Sequence, residues 1–404
     1  MSKRIELLSP AGDMECFNSA LNFGADAVYL AGKEFGMRTS SKNFSINELK
    51  TAVKTAHEKN AKVYVTCNTI AWNEEINRLP EAFEELASAD IDAFIIADLG
   101  VLQLAKKYAP NVAVHISTQA GIVNYAAANA FYELGAKRVV LARELPLTEI
   151  EVIRKNTPED LEIECFVHGA MCVSFSGRCI ISSAMTGRDA NRGDCAQPCR
   201  WKYHLYEENR EGQFFPVEEA DGGTYLYNSR DLCMIEHIPE LIKAGVTSFK
   251  IEGRAKSAYY TAVTTNAYRK AIDAYELEGD DFKLPIWIKE ELDKISHREY
   301  STGFYFGNEP GQVTENGGYI RNYEVVAVCE GFQNGESKVT QRNRFFTGDE
   351  VDVLPINGIP FCTKILEIRN QWDSIVDSAP HAMEKLTVKT ETPIFEGAIL
   401  RKRR

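Results

Sequence analysis

The stretch ELLSPAGDMECFNSALNFGADAVYLAG, residues 6–32, contains one complete strand–helix–strand unit. Its two apolar runs, Glu6–Pro10 and Asp26–Gly32, are short and nearly continuous, which is typical of parallel strands buried on both faces. The residues between them have apolar side chains at helical spacing. A strand followed by a helix and a second strand predicts a parallel sheet with crossover helices.

The same alternation continues over about 275 residues and gives eight units, as in a (β/α)8 barrel. Ser45 begins the helix after the second strand, and Glu48 in its first turn is a capping residue. The remaining predicted strands are Lys62–Thr69, Asp92–Asp98, Val112–Thr118, Arg138–Arg143, Leu161–Gly169 and Thr247–Gly253, and a helical pattern over Ala255–Tyr275 follows. The sequence therefore predicts an α/β fold with a (β/α)8 TIM-type barrel, with a doubly wound open sheet as the alternative.

Polar residues are frequent where the predicted strands end. In a barrel of this type, the residues that do chemistry lie at the carboxyl ends of the strands, although any solvated loop is also polar. The polar residues at these positions are Ser9, Asp13, Lys33, Arg38, Asn68, Asp98, His115, Ser117, Gln119, Arg143, Glu144, His168, Glu252 and Arg254. Taken together, they indicate an active site at this end of the barrel.

The pattern changes after residue 280. Residues 281–310 predict a helix and a linker, and residues 311–404 alternate apolar and polar side chains between Gly and Asn residues. About five or six short strands at this spacing predict a small C-terminal all-β barrel, with hairpin turns at Asn334–Gly335 and Asn357–Gly358. The predicted domains are thus 1–280, 281–310 and 311–404. The basic tail Arg401–Arg404 is predicted to contact phosphate or to be a frayed, solvated terminus.

The composition is that of a globular protein with an acidic balance. Of 404 residues, 44% are hydrophobic and 26% are charged, and 46 basic residues against 58 acidic ones give a net charge of −12. This balance argues against a dedicated nucleic-acid-binding protein. No apolar run reaches about 18 residues and the N-terminus has no signal-peptide pattern, so we expect a cytoplasmic protein without membrane contact.

Four of the ten cysteines are clustered in the sequence. In a cytoplasmic protein such a cluster indicates metal binding or catalysis rather than disulfides. The four have the spacing C-x6-C-x15-C-x3-C and are Cys172, Cys179, Cys195 and Cys199. They follow the seventh predicted strand in an insertion, residues 168–206, where a barrel places its active site. The other six, Cys16, Cys67, Cys165, Cys233, Cys329 and Cys362, lie singly in apolar patterns and are predicted to be buried thiols.

Three interpretations of the four cysteines stay open. Zinc sites usually use a C-x2–4-C knuckle, because four sulfurs must surround one ion at about 2.3 Å. The step of seven residues from Cys172 to Cys179 is wider than that. A cuboidal [4Fe–4S] cluster has four iron corners and tolerates wider ligand spacing. The spacing therefore favours a [4Fe–4S] cluster, with zinc and buried structural thiols as alternatives.

The cysteine segment is basic although the chain is acidic. Residues 166–206 contain Asp189 and Asp194 against five basic residues, a net charge of +3; the five are Arg178, Arg188, Arg192, Arg200 and Lys202. This charge suits an anionic substrate, either RNA phosphate or a small carboxylate, and it equally suits a negatively charged thiolate cluster. Because guanidinium groups bind phosphate and carboxylate in a bidentate manner, the candidate substrate-binding residues are Arg178, Arg188 and Arg192.

Several stretches together resemble peptidase family U32. They are ELLSPAGD near the start, VHGAMCVSFSGRCIIS and GRDANRGDCAQPCRWKY in the cysteine segment, and FKIEGRAKSAYY later. The resemblance covers about residues 3–275 and all four clustered cysteines, and NRFFTGDEVDVL extends it to the family's C-terminal β domain. The family was named for collagenase-type activity. Its well-described members instead take part in oxygen-independent hydroxylation.

The resemblance implies a function and a cofactor. Some members hydroxylate the wobble uridine (U34) of tRNA to 5-hydroxyuridine with prephenate as hydroxyl source, another acts on a cytidine of 23S ribosomal RNA, and a pair of relatives serves ubiquinone synthesis. The length and the β domain are most similar to the tRNA-hydroxylating branch. By resemblance, Cys172, Cys179, Cys195 and Cys199 ligate a [4Fe–4S] cluster, and tRNA, through its anticodon region, and prephenate are the partners.

The remaining roles are hypotheses from sequence position. His168 and Glu252 are candidate proton-transfer groups, and Tyr203 or Trp201 is a candidate surface on which an exposed base stacks. A peptidase stays open as an alternative, although the sequence has no HExxH helix and no GxSxG elbow. Hydroxylation of ribosomal RNA also stays open, and so does a non-catalytic role in which the protein holds a cluster or RNA together with a paired U32 relative.

Overall fold

The computed structural model of the chain describes residues 4–36, 42–172, 174–203, 224–225, 229–307, 311 and 319–404. Eight parallel strands form the first domain; they are β1 (Glu6–Pro10), β2 (Ala27–Leu30), β3 (Lys62–Cys67), β4 (Ala93–Ile96), β5 (Ala113–Ile116), β6 (Arg138–Val140), β7 (Glu162–Ala170) and β8 (Ser248–Ile251). Strand β8 pairs with both β1 and β7, so that Phe249 lies beside Leu7 and beside Cys165. This double pairing closes the sheet, confirms the predicted barrel and excludes the open doubly wound sheet.

The helices of the first domain lie around the barrel and in the cysteine segment, and most of them bury an apolar stripe. They are α1 (Met14–Asn22), α2 (Ile46–Glu58), α3 (Asn73–Ile76), α4 (Leu79–Ala87), α5 (Leu99–Tyr108), α6 (Tyr125–Glu133), α7 (Leu147–Lys155), α8 (Ile181–Thr186), α9 (Ile238–Lys243), α10 (Ala258–Glu278) and α11 (Ile286–Leu292). Helix α2 begins as predicted with a capping box, in which the Ser45 hydroxyl accepts from the Glu48 amide and the Glu48 carboxylate accepts from the Ser45 amide. Among the helices of the described residues, none is both long enough and apolar enough to cross a membrane.

Shorter elements complete the first domain. The 3₁₀ turns are Thr118–Ala120, Phe175–Gly177, Ala190–Arg192, Pro198–Arg200, Ile235–His237 and Gly279–Asp281. The short strands are Lys202–Tyr203, Thr224–Tyr225, Asp231–Cys233 and Tyr300–Ser301. Asp231–Cys233 pairs antiparallel with the end of β7, which extends the sheet beyond the barrel.

A charged network fills the amino end of the barrel. The Arg138 guanidinium is buried and contacts Glu6 at 2.5 Å, Glu162 at 2.6 Å and Glu164 at 2.9 Å. Lys250 donates to Glu164 at 2.7 Å one layer higher in the barrel. Burial alone would raise the pKa of the Glu6 carboxyl, but Arg138 and nearby hydroxyl donors hold that pKa below its usual value. The network therefore links β1, β6, β7 and β8 through paired charges.

His168 points out of the barrel, into the layer between the sheet and α10. The register of β7 against β8 shifts so that Phe166 pairs with Lys250 but His168 pairs with Ile251. His168 is 1% exposed, and its ring packs beside the tyrosines of α10 and of the short strand, namely Tyr260, Tyr268 and Tyr300. This burial lowers the pKa of the His168 imidazole to about 3, with smaller contributions from the His297 and Lys256 charges.

Six antiparallel strands form the predicted C-terminal barrel. They are β9 (Tyr323–Gln333), β10 (Glu336–Gln341), β11 (Glu350–Leu354), β12 (Phe361–Arg369), β13 (Lys385–Thr390) and β14 (Ile399–Arg403), accompanied by the short strands Phe345–Phe346, Ile375–Val376 and Ser378–Ala379. The strand order β11–β14–β9–β10–β13–β12 closes by the pairing of β12 with β11. Asn334 and Gly335, both at positive φ, form the turn between β9 and β10, as the sequence predicts.

A buried ion network joins the two barrels. Arg401 of β14 is fully buried and donates to both carboxylate oxygens of Glu291 in α11, at 2.6 and 2.7 Å. It also donates to Asp352 of β11 at 2.9 Å, and Lys294 contacts the same two carboxylates. The prediction of a frayed basic tail is therefore wrong for Arg401, because this residue continues a strand and pairs with carboxylates of both domains.

The first prediction concerns Arg401. We expect Arg401→Met to lower the free energy of unfolding by about 3–5 kcal/mol, because Glu291 and Asp352 would stay buried with too few cations. Arg403→Met is the matched control, since Arg403 lies in the same strand but is exposed, and it should change stability by less than about 0.5 kcal/mol. Urea unfolding followed by circular dichroism measures both. Equal effects of the two substitutions would contradict a special role for Arg401.

The second prediction concerns the acid sensitivity of the fold. Because the folded-state pKa of His168 lies near 3 and the ordinary value is 6.5, the unfolded chain binds the extra proton as the pH falls below about 6.5. The stability that depends on neutral His168 is therefore fully present above about pH 6.5 and is lost as the pH falls below that value. His168→Phe should reduce the stability lost between about pH 7.5 and 5.5 by about 1.4 kcal/mol. An equal loss of stability over this pH range in the wild-type protein and in His168→Phe would contradict this role of His168.

Candidate active site at the carboxyl end of the barrel

A cavity of about 160 Å³ opens at the carboxyl end of the barrel, where the sequence predicts the active site. Its walls include many of the polar residues that end the strands: Asn68, Ser117, Gln119, Arg143, Glu144, Glu252 and Arg254. The cysteine segment forms the remaining wall through residues between Cys172 and Cys199. The insertion after β7 therefore covers the barrel mouth.

All four clustered cysteines line this cavity, and all four are free thiols. The backbone amide two residues further along the chain donates to the sulfur of Cys172, Cys179 and Cys195, at 3.3 to 3.4 Å. These hydrogen bonds fix the positions of the three sulfurs relative to the backbone. The local backbone thus holds these three sulfurs at defined positions in the cavity wall.

The four sulfurs are close enough to affect one another's charge. Burial raises the pKa of the Cys199 thiol, the Arg200 cation opposes this effect, and charges on Cys172, Cys195 and Cys179 raise it further. Within the described ranges, no three Cys, His, Asp or Glu side chains group closely enough to hold a single metal ion. The four thiols thus share the wall of one cavity without forming such a group.

Hydrogen bonds within the cysteine segment fix its shape. The Asn191 side chain clamps Cys179, accepting from its amide at 3.1 Å and donating to its carbonyl at 3.0 Å. The Ser182 hydroxyl accepts from the Ala196 amide at 3.0 Å, which brings the second cysteine pair beside the first. Ser176 adopts positive φ, and its amide donates to Glu144 of the barrel at 2.8 Å. These contacts explain how widely spaced cysteines reach the same cavity.

None of the three arginines predicted to bind substrate lies among the residues that line the cavity. Arg192 pairs with Glu75 at 2.5 Å and donates to the Ile70 carbonyl, so it anchors the segment to the loop after β3. Arg188 pairs with Asp194 at 2.7 Å on the surface. Arg178 is exposed and has no ion pair with another described residue. Protein carboxylates already occupy two of the three guanidinium groups, and the binding roles predicted for all three are untested.

Three other cations line the cavity instead. Arg143 donates to Glu252 at 3.0 Å and lies 3.7 Å above the Phe166 ring. Arg254 is 3% exposed and donates to Thr66, and Lys250 forms the floor. The sequence included Arg143 and Arg254 among the polar strand ends but contained no signal that they, and not the arginines of the cysteine segment, face the cavity.

The two predicted proton-transfer residues lie in different places. Glu252 lines the cavity and its side chain is 17% exposed. His168 lies outside the cavity wall, because the register shift between β7 and β8 turns it toward α10. The side chain of Tyr203 falls outside the described residues. Trp201 is 42% exposed on the surface and does not line the cavity.

Comparisons with known proteins agree with this architecture. The sequence profile of peptidase family U32 matches residues 12–315, and that of the peptidase family U32 C-terminal domain matches residues 321–401. The chain is 37% identical over 406 residues to tRNA hydroxylation protein P1 of Bacillus subtilis, covering 100% of this chain and 96% of that protein. It is 40% identical over 318 residues to the 23S rRNA 5-hydroxycytidine C2501 synthase of Escherichia coli, covering 77% of this chain and 47% of that protein.

A third relative has a different kind of name. The chain is 31% identical over 389 residues to a protein named collagenase from Porphyromonas gingivalis, covering 92% of this chain and 91% of that protein. Relatives named for hydroxylation and a relative named for proteolysis are thus all similar to this chain. Two family profiles match the two barrels, and together they cover most of the sequence. The chain therefore belongs to peptidase family U32.

Proposed function

We propose that the protein is an iron–sulfur-dependent RNA hydroxylase, and that its substrate is the wobble uridine of tRNA. The observation that carries this proposal is that four free thiols and three cations line one cavity at the catalytic end of a (β/α)8 barrel. The Bacillus subtilis relative, named for tRNA hydroxylation, aligns with the whole chain and supports the reaction class. The Escherichia coli relative, named for ribosomal RNA hydroxylation, supports RNA as the substrate class.

The residues present fit a [4Fe–4S] cluster. Cys172, Cys179, Cys195 and Cys199 would each ligate one iron, and backbone amides hold the sulfurs of three of them in place. Four thiols in the wall of one cavity match the four iron corners of a cuboidal cluster, whereas a zinc ion needs four sulfurs around one point. When bound, the cluster would supply redox chemistry that side chains do not provide. Zinc at the same cysteines is the alternative, and the metal content of the purified protein distinguishes the two.

The cations of the cavity would bind a small anionic co-substrate, for which we propose prephenate with its two carboxylates. Arg143, Lys250 and Arg254 outnumber the two carboxylates in the cavity wall, Glu144 and Glu252. Lys250 is fixed by Glu164, and Arg254 is fixed by Thr66. Because these contacts hold the cations in place before a ligand arrives, little reorganisation accompanies binding.

Glu252 is the residue we propose for proton transfer. Replacing a hydrogen on a ring carbon by hydroxyl is a two-electron oxidation, so a base must take up the proton that leaves and an external electron acceptor must take up the two electrons. Arg143 donates to Oε2 of Glu252 and orients the carboxylate toward the cavity. Tyr260 donates to the Glu252 carbonyl at 2.9 Å and fixes the backbone there. The carboxylate is therefore held in a defined position beside the thiols.

The third prediction tests the cofactor. Protein purified without oxygen should be brown, with absorbance near about 400 nm and about four irons per chain. Cys179→Ala should lose most of the iron and colour. Cys362→Ala is the matched control, because Cys362, which the sequence wrongly predicted to be buried, is exposed on the C-terminal barrel and should not affect iron content. A colourless wild-type protein that contains one equivalent of zinc would show that the four cysteines bind zinc and not an iron–sulfur cluster.

The fourth prediction tests the reaction. In a deletion strain without a redundant relative, 5-hydroxyuridine derivatives should be absent from tRNA and should return with the wild-type gene, as measured by nucleoside mass spectrometry. Glu252→Gln should reduce the modification rate at least about 100-fold while the melting temperature is retained. Glu240→Gln, an exposed replacement on α9, is the control.

Two results would redirect the assignment. Unchanged tRNA nucleosides in the deletion strain would reject uridine hydroxylation, and a lost ribosomal RNA modification would move the substrate to that RNA. Cleavage of gelatin by a variant that lacks all four clustered cysteines would favour a peptidase instead, since that activity would not need the thiols.

A further inference from the structure

A second, larger cavity of about 610 Å³ lies between the two barrels. The first barrel contributes Arg143, Glu252, Lys256 and Tyr260, and the cysteine segment contributes Cys172, Cys195, Cys199 and Arg200. Residues at the start of the C-terminal domain and at the chain end complete it: Tyr319, Arg321, Tyr323 and Arg404. We call this second cavity the interdomain groove.

The interdomain groove meets the inner cavity at the cysteines. Arg143, Glu252, Cys172, Cys195 and Cys199 line both of them. A molecule in the groove and a small molecule in the inner cavity would therefore reach the same three thiols and the same carboxylate from two sides. The site has separate spaces for a large and a small reactant.

The groove is strongly basic. Among the described residues that line it are five basic side chains, Arg143, Arg200, Lys256, Arg321 and Arg404, and one acidic side chain, Glu252. Burial would raise the pKa of the Tyr319 hydroxyl, yet Lys256, Arg200 and Arg298 together lower it below its ordinary value. In a chain with a net charge of −12, this potential is local, so it favours one anionic partner at this place over general binding of polyanions.

Aromatic rings lie between these cations. The Tyr319 ring contacts Lys256 at 4.3 Å and Arg298 at 4.5 Å, and its hydroxyl is hydrogen-bonded to Arg200 at 3.1 Å. Tyr323 and Tyr260 add further aromatic surface to the lining. Cations that follow a groove with tyrosines between them are typical of surfaces that bind single-stranded nucleic acid.

Helix α10 adds to the positive potential. It is 21 residues long, Ser257 caps its N-terminus, and Gly253, Ala255, Lys256 and Ser257 at this end line the groove. The amide groups at a helix N-terminus carry partial positive charge and favour phosphate. The α10 terminus and the side-chain cations therefore act on the same space.

We propose that the interdomain groove binds a single-stranded segment of the RNA substrate, with phosphates on Lys256, Arg321 and Arg404, and directs one unpaired base to the thiols. This inference rests on the proposed function. A base within a duplex has its edges paired and cannot reach a recessed site, so the segment must be a loop or an end. An acidic peptide would satisfy the cations but leave the tyrosines without partners to stack on.

The fifth prediction tests RNA binding by the full-length protein through fluorescence anisotropy. The probes are an RNA hairpin with an unpaired loop and a blunt RNA duplex of equal length. The double substitution Arg321→Gln with Arg404→Gln should raise the Kd for the hairpin about tenfold. If each arginine contacts one phosphate, the slope of log K against log salt should fall by about 1.4, because each contact with a single strand accounts for about 0.7.

A matched control removes two cations elsewhere. Lys50→Gln with Lys54→Gln changes the net charge equally on the exposed face of α2, far along the chain from the groove, and should leave the Kd and the salt slope unchanged. Lys256→Gln is an independent second variant, so the proposal stays testable if the arginine variant is unstable. It should weaken hairpin binding and reduce the salt slope by about 0.7.

The outcomes separate the groove from the reaction. The groove variants could bind the hairpin more weakly while the wild-type protein produces no hydroxylated nucleoside. This result would support RNA binding in the groove and reject the proposed hydroxylation. Equal hairpin binding by the wild-type protein and both groove variants would contradict RNA binding in the groove, whether or not the protein hydroxylates RNA. Equal affinity for the blunt duplex, or displacement of the hairpin by polyglutamate at the same concentration of charge, would overturn the single-stranded RNA assignment.

Discussion

The buried guanidinium of Arg138 is the interaction on which the site depends. It pairs with carboxylates of β1 and β7 at the amino end of the barrel, and the Ser248 hydroxyl of β8 joins the same network. Because β8 is the strand that closes the sheet, these contacts lie at the closure itself. Glu164 also binds Lys250, which rises to form the floor of the cavity. An uncompensated charge at this place would cost several kcal/mol, of order 3–5, so the network favours one arrangement of the four strands.

The barrel supplies the cavity, but an insertion supplies the thiols. The segment after β7 is held to the barrel by Arg192 and Glu75 and by the Ser176 amide on Glu144. Its cysteines can therefore be presented at a fixed place although the segment has little regular structure. As a consequence, the cations of the two cavities, apart from the shared Arg143, come from different parts of the chain. The inner cavity has cations fixed by the barrel itself, while the groove has cations from three different parts of the chain.

The sequence predicted the features that depend on residues close together in the chain. It did not predict side-chain positions that depend on contacts between distant residues. Alternating strands and helices predicted the barrel, and its geometry predicted where the cavity lies, because both follow from local periodicity. The selection of Arg192 as a substrate ligand did not foresee Glu75, which is 117 residues away. His168 was selected from its place at a strand end, but a one-residue shift in register turns it outward. Neither the ion pair nor the shift leaves a signal in residue types or spacing.

The C-terminal barrel contributes to the site because the end of β14 joins the two domains and also leads into Arg404, which lines the groove. Arg401 is buried against Glu291 and Asp352, so β14 cannot move relative to α11 without exposing or unpairing three charges. The chain continues for three more residues, and Arg404 reaches the groove from this fixed strand. Arg321 reaches it from the start of the same domain. A basic tail on a frayed terminus would sample many positions and lose entropy on binding an anion, whereas a tail held by Arg401 presents its cation in the groove before any ligand binds.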